Sequence, residues 1–143
     1  MTYLVFPTYG CDKTMLAHIT LATRDVSRSV VFFRETLGWL PVARPANITM
    51  AAAWLTIEPG LELHLIEDPE FEPSRFEREF GRHIAVTFPR VEFPPLKERL
   101  QTRGAVLIEP LRDTPFARFF FRDPNGYVFE VLEEDHDEPR PIE

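Results

Sequence analysis

His18, His64, His83 and Glu130 are the residues of this chain whose types and spacing best suit a divalent cation. Each sits in an apolar, strand-like run: Leu16-Ala17-His18-Ile19-Thr20-Leu21, Leu61-Glu62-Leu63-His64-Leu65-Ile66, Gly81-Arg82-His83-Ile84-Ala85-Val86 and Tyr127-Val128-Phe129-Glu130-Val131-Leu132. An ionisable group in such surroundings needs a partner, because an unpaired buried charge is costly. Imidazole nitrogens with a carboxylate around open positions suit Fe(II), Mn(II), Zn(II) or Ni(II). A lone histidine in an apolar strand is more often a core residue with an ordinary hydrogen-bond partner. The spacing sets these four apart: His18 and His83 are 65 residues apart, and His64 and Glu130 are 66 apart.

That near-equality marks an internal repeat. Each His-Ile strand leads into a helical stretch that ends at a glycine. In the first copy Asp25 caps a helix carrying Val26, Val30, Phe33 and Leu37 before Gly38. In the second, Pro94 and Pro95 suit a first turn, and Leu96 and Leu100 share a face before Gly104. Phe93 would extend that face only in a helix beginning ahead of the prolines, so it is left outside. Extended segments follow at about 40–44, 48–57 and 61–67, and again at about 106–109, 116–121 and 127–132. Glu58-Pro59-Gly60 and Asp123-Pro124-Asn125-Gly126 supply the last turn of each copy, the second one residue longer. The expected class is therefore α+β, with two β-α-β-β-β modules packed together around one core and one cavity. Module one spans 15–68, a linker 69–80 and module two 81–134, flanked by an N-terminal extension, 1–14, and an acidic tail, 135–143.

Composition narrows the function classes. The 143 residues are 44% apolar with 13 Phe, which is globular and not disordered. A net charge of −7 disfavours nucleic acid as a partner. No apolar run is long enough for a membrane helix, and the opening Met1-Thr2-Tyr3-Leu4-Val5-Phe6-Pro7 does not read as a secretory leader. With one cysteine, Cys11, there is no internal disulfide and no thiolate cluster. The cytoplasm is the default location. His136, in the acidic tail, is not expected to take part.

These features resemble the vicinal oxygen chelate superfamily, which includes glyoxalase I, methylmalonyl-CoA epimerase, extradiol dioxygenases and the fosfomycin- and bleomycin-resistance proteins. The likeness runs over about 15–134, through Met15-Leu16-Ala17-His18-Ile19-Thr20-Leu21, Phe33-Arg34-Glu35-Thr36-Leu37-Gly38-Trp39, the His64 and His83 strands, and Phe120-Phe121-Arg122-Asp123-Pro124-Asn125-Gly126-Tyr127-Val128-Phe129-Glu130. It implies paired modules forming a cupped mixed sheet around a metal site, usually in a homodimer, with a divalent metal such as Zn, Ni, Co, Mn or Fe. The ligand positions fall on His18, His64, His83 and Glu130. Several relatives place a carboxylate or amide at the second position, where Glu62 competes with His64. Both point to one strand face, and the repeat register favours His64.

The resemblance implies bidentate binding of a small substrate through adjacent oxygens, with Glu130 as ligand and catalytic carboxylate. Arg118 is the candidate substrate-binding residue, an anion clamp, although most arginines are simply exposed. Phe116, Phe119, Phe120 and Phe121 read as core before pocket, and Trp39 and Trp54 as packing residues. The serine- and glycine-rich potassium loop of fosfomycin transferases is absent; Thr114-Pro115-Phe116-Ala117-Arg118 stands there. The expected function is a metal-dependent lyase or isomerase of glyoxalase type acting on a small oxygenated metabolite. A single-domain extradiol-type dioxygenase and a non-catalytic small-molecule binding protein are the alternatives. Ligand histidines must be neutral, so metal affinity should fall in acid.

Overall fold

The computed structural model of the chain describes residues 14–134. Most of the expected N-terminal extension, with Cys11, and the acidic tail after Glu134, with His136, lie outside the described residues. Module one comprises β1 (His18–Thr23), α1 (Val26–Thr36), β2 (Leu40–Val42), β3 (Ala52–Glu58) and β4 (Leu61–Glu67). Module two comprises β5 (Ile84–Phe88), α2 (Phe93–Thr102), β6 (Val106–Ile108), β7 (Arg118–Arg122) and β8 (Val128–Glu133). Each module closes its own four-stranded mixed sheet, in the orders β1-β4-β3-β2 and β5-β8-β7-β6. Among the described residues no helix is long and apolar enough to cross a membrane.

The repeat register holds residue for residue. Ile19 pairs with Leu63 and Thr20 with His64 in the parallel β1–β4 ladder; Ile84 pairs with Phe129 and Ala85 with Glu130 in β5–β8. His64 and Glu130 therefore occupy equivalent points. Differences from the expected elements have local causes. Ile48 closes a turn onto the Pro45 carbonyl, so β3 begins only at Ala52. The second helix does include Phe93, which is buried. Its two prolines occupy the following first-turn positions, where backbone N–H groups have no intrahelical acceptor to lose.

Strand alternation gives each sheet an inner and an outer face. Leu63 and Leu65 of the first sheet and Phe129 and Val131 of the second enter one shared core with both helices. Phe33 meets Phe129 at 5.9 Å between ring centres, and Phe32 meets Phe121 at 6.3 Å. The Asp-Pro-Asn-Gly turn fastens this seam. Asn125 Nδ2 donates to Ser29 Oγ and Thr23 Oγ1 donates to Asn125 Oδ1, both at 3.0 Å. The Ser29 hydroxyl closes the ring by donating to Thr23 Oγ1. All three residues are buried, so a polar ring inside the seam is fully satisfied.

Asp123 anchors the same turn: Oδ1 accepts from the N–H groups of Asn125 (3.0 Å) and Tyr127 (2.8 Å). Burial pushes its carboxyl up to about 6, against the pull of those backbone donors. The folded state thus retains this proton after the unfolded chain has lost it. Asp123 stabilises the fold fully below about pH 4, and that contribution is lost as pH rises through about 6. Asp123→Asn keeps an oxygen acceptor and removes the ionisation. Urea unfolding should show the variant gaining on the wild type by about 3 kcal/mol between pH 4 and pH 7; a constant difference would contradict the assignment.

Candidate metal centre

His83 and Glu130 come together on the outer face of the second sheet. His83 immediately precedes β5, and Glu130 lies on β8 opposite Ala85. His83 Nε2 and Glu130 Oε1 are 3.9 Å apart. Each residue is oriented by its other polar atom. His83 Nδ1 lies 3.3 Å from the Arg78 carbonyl, which can only accept, so in the neutral ring Nδ1 carries the hydrogen and the Nε2 lone pair is left on the Glu130 side. Glu130 Oε2 accepts from Arg118 Nη1 at 2.7 Å, leaving Oε1 toward His83. Such outer contacts fix ligand orientation in metal sites.

Arg118 is not solvent-facing; its side chain is 3% exposed. Besides Glu130 it pairs with Glu79 at 2.6 Å, and Nη2 donates to the Arg112 carbonyl. Burial works against its charge, but the bonds to Glu130 and Glu79 prevail and raise its pKa. For Glu79 burial works upward, yet the N–H groups of Leu111 and Arg112 and the guanidinium hold the carboxyl below its ordinary value. Arg118, expected as a substrate clamp, thus has both terminal nitrogens already engaged.

The first sheet presents His18, Glu62 and His64 on its outer face. His64 Nε2 and Glu62 Oε1 are 2.9 Å apart, so the two rivals for one ligand position are hydrogen-bonded to each other. The His64 ring is sandwiched between His18 and Trp54, each with centres 4.0 Å away and planes within 12°. Imidazole lone pairs lie in the ring plane. Two nearly parallel stacked rings therefore cannot both aim at one cation, and joint ligation by His18 and His64 requires one ring to swing. Trp54, expected as a packing residue, is part of this outer face. Only the β3–β4 register, which sets it opposite His64, could have located it.

The two pairs face away from the shared core, and among the described residues no three of His, Cys, Asp and Glu gather into a metal-sized cluster. The candidate ligands therefore form two separate pairs in one chain, His18 with His64 and His83 with Glu130. Their surroundings are partly bare. Leu40 and Val42, opposite Thr56 and Trp54, are 60% and 39% exposed, and Val106, opposite Arg122, is 61% exposed.

The model of the Glyoxalase/Bleomycin resistance protein/Dioxygenase superfamily matches residues 15–131. The chain belongs to that superfamily. Among curated members it is similar to Glyoxylase I 4 of Arabidopsis thaliana, 25% identical over 124 residues, covering 82% of this chain and 70% of the relative. It is also similar to the glutathione transferase FosA of Serratia marcescens, 33% identical over 119 residues, covering 81% and 78%. A superfamily domain from Frankia sp. EAN1pec shares the fold with a TM-score of 0.67 at 24% identity, over 85% of this chain and 98% of that one. A mutant of the Listeria monocytogenes fosfomycin resistance protein FosX, crystallised with Mn(II) and 1S,2S-dihydroxypropylphosphonic acid, gives 0.70 at 20% identity, over 85% and 92%. The potassium loop missing from the sequence thus does not set this chain apart from FosA over the 119 aligned residues.

Removing Arg118 would leave the Glu79 and Glu130 carboxylates, 9% and 11% exposed, without their shared counter-charge. Arg118→Ala should lower the unfolding free energy of the metal-free chain by about 3–5 kcal/mol, read by denaturant titration. A change within experimental scatter would show the triad to be energetically idle.

Proposed function

We propose that this chain is a metal-dependent lyase or isomerase of glyoxalase type acting on a small oxygenated metabolite. In this proposal a homodimer joins His18, with His64, of one copy to His83 and Glu130 of the other. The observation that carries it is the His83–Glu130 pair. Its 3.9 Å separation leaves room for a cation at about 2.0–2.2 Å from each donor atom. The outer-face histidines and the bare apolar residues around them support the second copy, because exposed apolar patches mark contact surfaces.

A divalent ion held there would supply Lewis-acid stabilisation of charge developing on substrate oxygens. The chain's own contribution is orientation and proton handling. Arg118 fixes the Glu130 carboxylate through Oε2, so Oε1 can hold a proton or a ligand position beside the substrate. Phe120, edge-on to His83 at 5.4 Å, gives that half-site an apolar wall; Trp54 backs His64 in the other. His18, His83 and Glu130 form the basic set, leaving positions for two substrate oxygens. His64 becomes a fourth donor only by leaving its stack.

A second reading, addition of a nucleophile to a small oxygenated substrate, is favoured by the 33% identity to FosA. Assays with methylglyoxal–glutathione adduct and with fosfomycin plus glutathione separate the two. For the site itself, wild-type protein should carry about one metal ion per chain by elemental analysis, and His83→Ala should lose it. His18→Ala and His83→Ala should each bind none, yet unfolding and refolding them together should restore about a quarter of the sites, because each mixed dimer keeps one intact set. No recovery would place the ligands within one chain.

A further inference from the structure

Glu79 belongs to the segment joining the modules, outside every strand of the second sheet, yet its carboxylate ends beside Arg118. Oε1 stands 2.6 Å from Arg118 Nη2, while Oε2 accepts from the N–H groups of Leu111 (2.8 Å) and Arg112 (3.2 Å). The linker, the loop after β6 and strand β7 therefore converge on one buried ion pair, the linker from more than thirty residues away.

The division of the guanidinium matters. A guanidinium facing one carboxylate tends to a bidentate fork that occupies both oxygens. Glu79, together with the Arg112 carbonyl of the loop that Glu79 holds, draws Nη2 the other way, so Arg118 reaches Glu130 through Nη1 and Oε2 alone. Oε1 of Glu130 is left facing His83. From this we infer that Glu79 is a positioning residue: by sharing Arg118 it keeps one Glu130 oxygen available to the cation, and it fixes the Leu111–Arg112 loop to the same pair. The inference rests on the metal site proposed above.

The test is isothermal titration of the full-length, metal-stripped protein with Mn(II) and with Ni(II), alongside its melting temperature. Glu79→Gln retains an oxygen for the Leu111 and Arg112 N–H groups and removes the charge competing for Arg118. It should weaken metal binding by about tenfold or more while leaving the metal-free melting temperature nearly unchanged. In an Arg118→Lys background, where an ammonium cannot form the fork, adding Glu79→Gln should cost little further affinity. Unchanged affinity in the single variant, with the wild type binding normally, would overturn the role of Glu79 and leave the metal site standing. So would an equal loss in the lysine background, or a loss matched by collapse of the metal-free fold. A wild type that binds neither ion removes the metal site, and the role of Glu79 with it. If the Arg118→Lys chain does not fold, the single variant's affinity and melting temperature decide.

Discussion

Each sheet has one inner face, and both inner faces are used up in the same core. Phe33 against Phe129 and Phe32 against Phe121 join the modules through their apolar sides. With side chains alternating along a strand, Leu65, Tyr127 and Val131, two away from Leu63 or Phe129, share that core, and the immediate neighbours point the other way. His64 and Glu130 are such neighbours. The packing that makes the chain fold is therefore the packing that turns His64 and Glu130 to the outer faces of their sheets.

On that outward side the two modules have diverged in how they hold these polar side chains. Module two holds His83 through a backbone carbonyl and Glu130 through a buried arginine, leaving one atom of each toward the other. Module one instead stacks its rings and ties His64 to Glu62. In the proposed site the first arrangement already turns one atom of each side chain toward the other. The second must open before both its histidines can take part, since stacked planes do not converge on a point.

Much of this is legible in the sequence because it depends on period and spacing. Apolar alternation around His18 and His83, helix ends at Gly38 and Gly104, and the 65- and 66-residue offsets lead to two β-α-β-β-β modules and the observed register. Contacts between segments without shared periodicity are not legible. Glu79 lies in a charged stretch that reads as a linker, and nothing local connects it to Arg118. Trp54 looks like any half-buried strand aromatic until the β3–β4 pairing sets it against His64. Phe93 escapes a reading that treats prolines as a barrier, when in a first turn they have no helical hydrogen bond to break.

The buried ring of Ser29, Thr23 and Asn125 bears on how a duplicated chain becomes a single protein. Aligned on proline and glycine, the turns Pro59-Gly60 and Pro124-Asn125-Gly126 differ by one inserted residue, and that residue is Asn125. The insertion that breaks the symmetry of the repeat is the one that reaches across the seam into module one. Two first modules placed together would share the apolar faces but have no such fastener. The halves are thus no longer interchangeable: order along the chain has become part of the structure, although the strands still follow one plan.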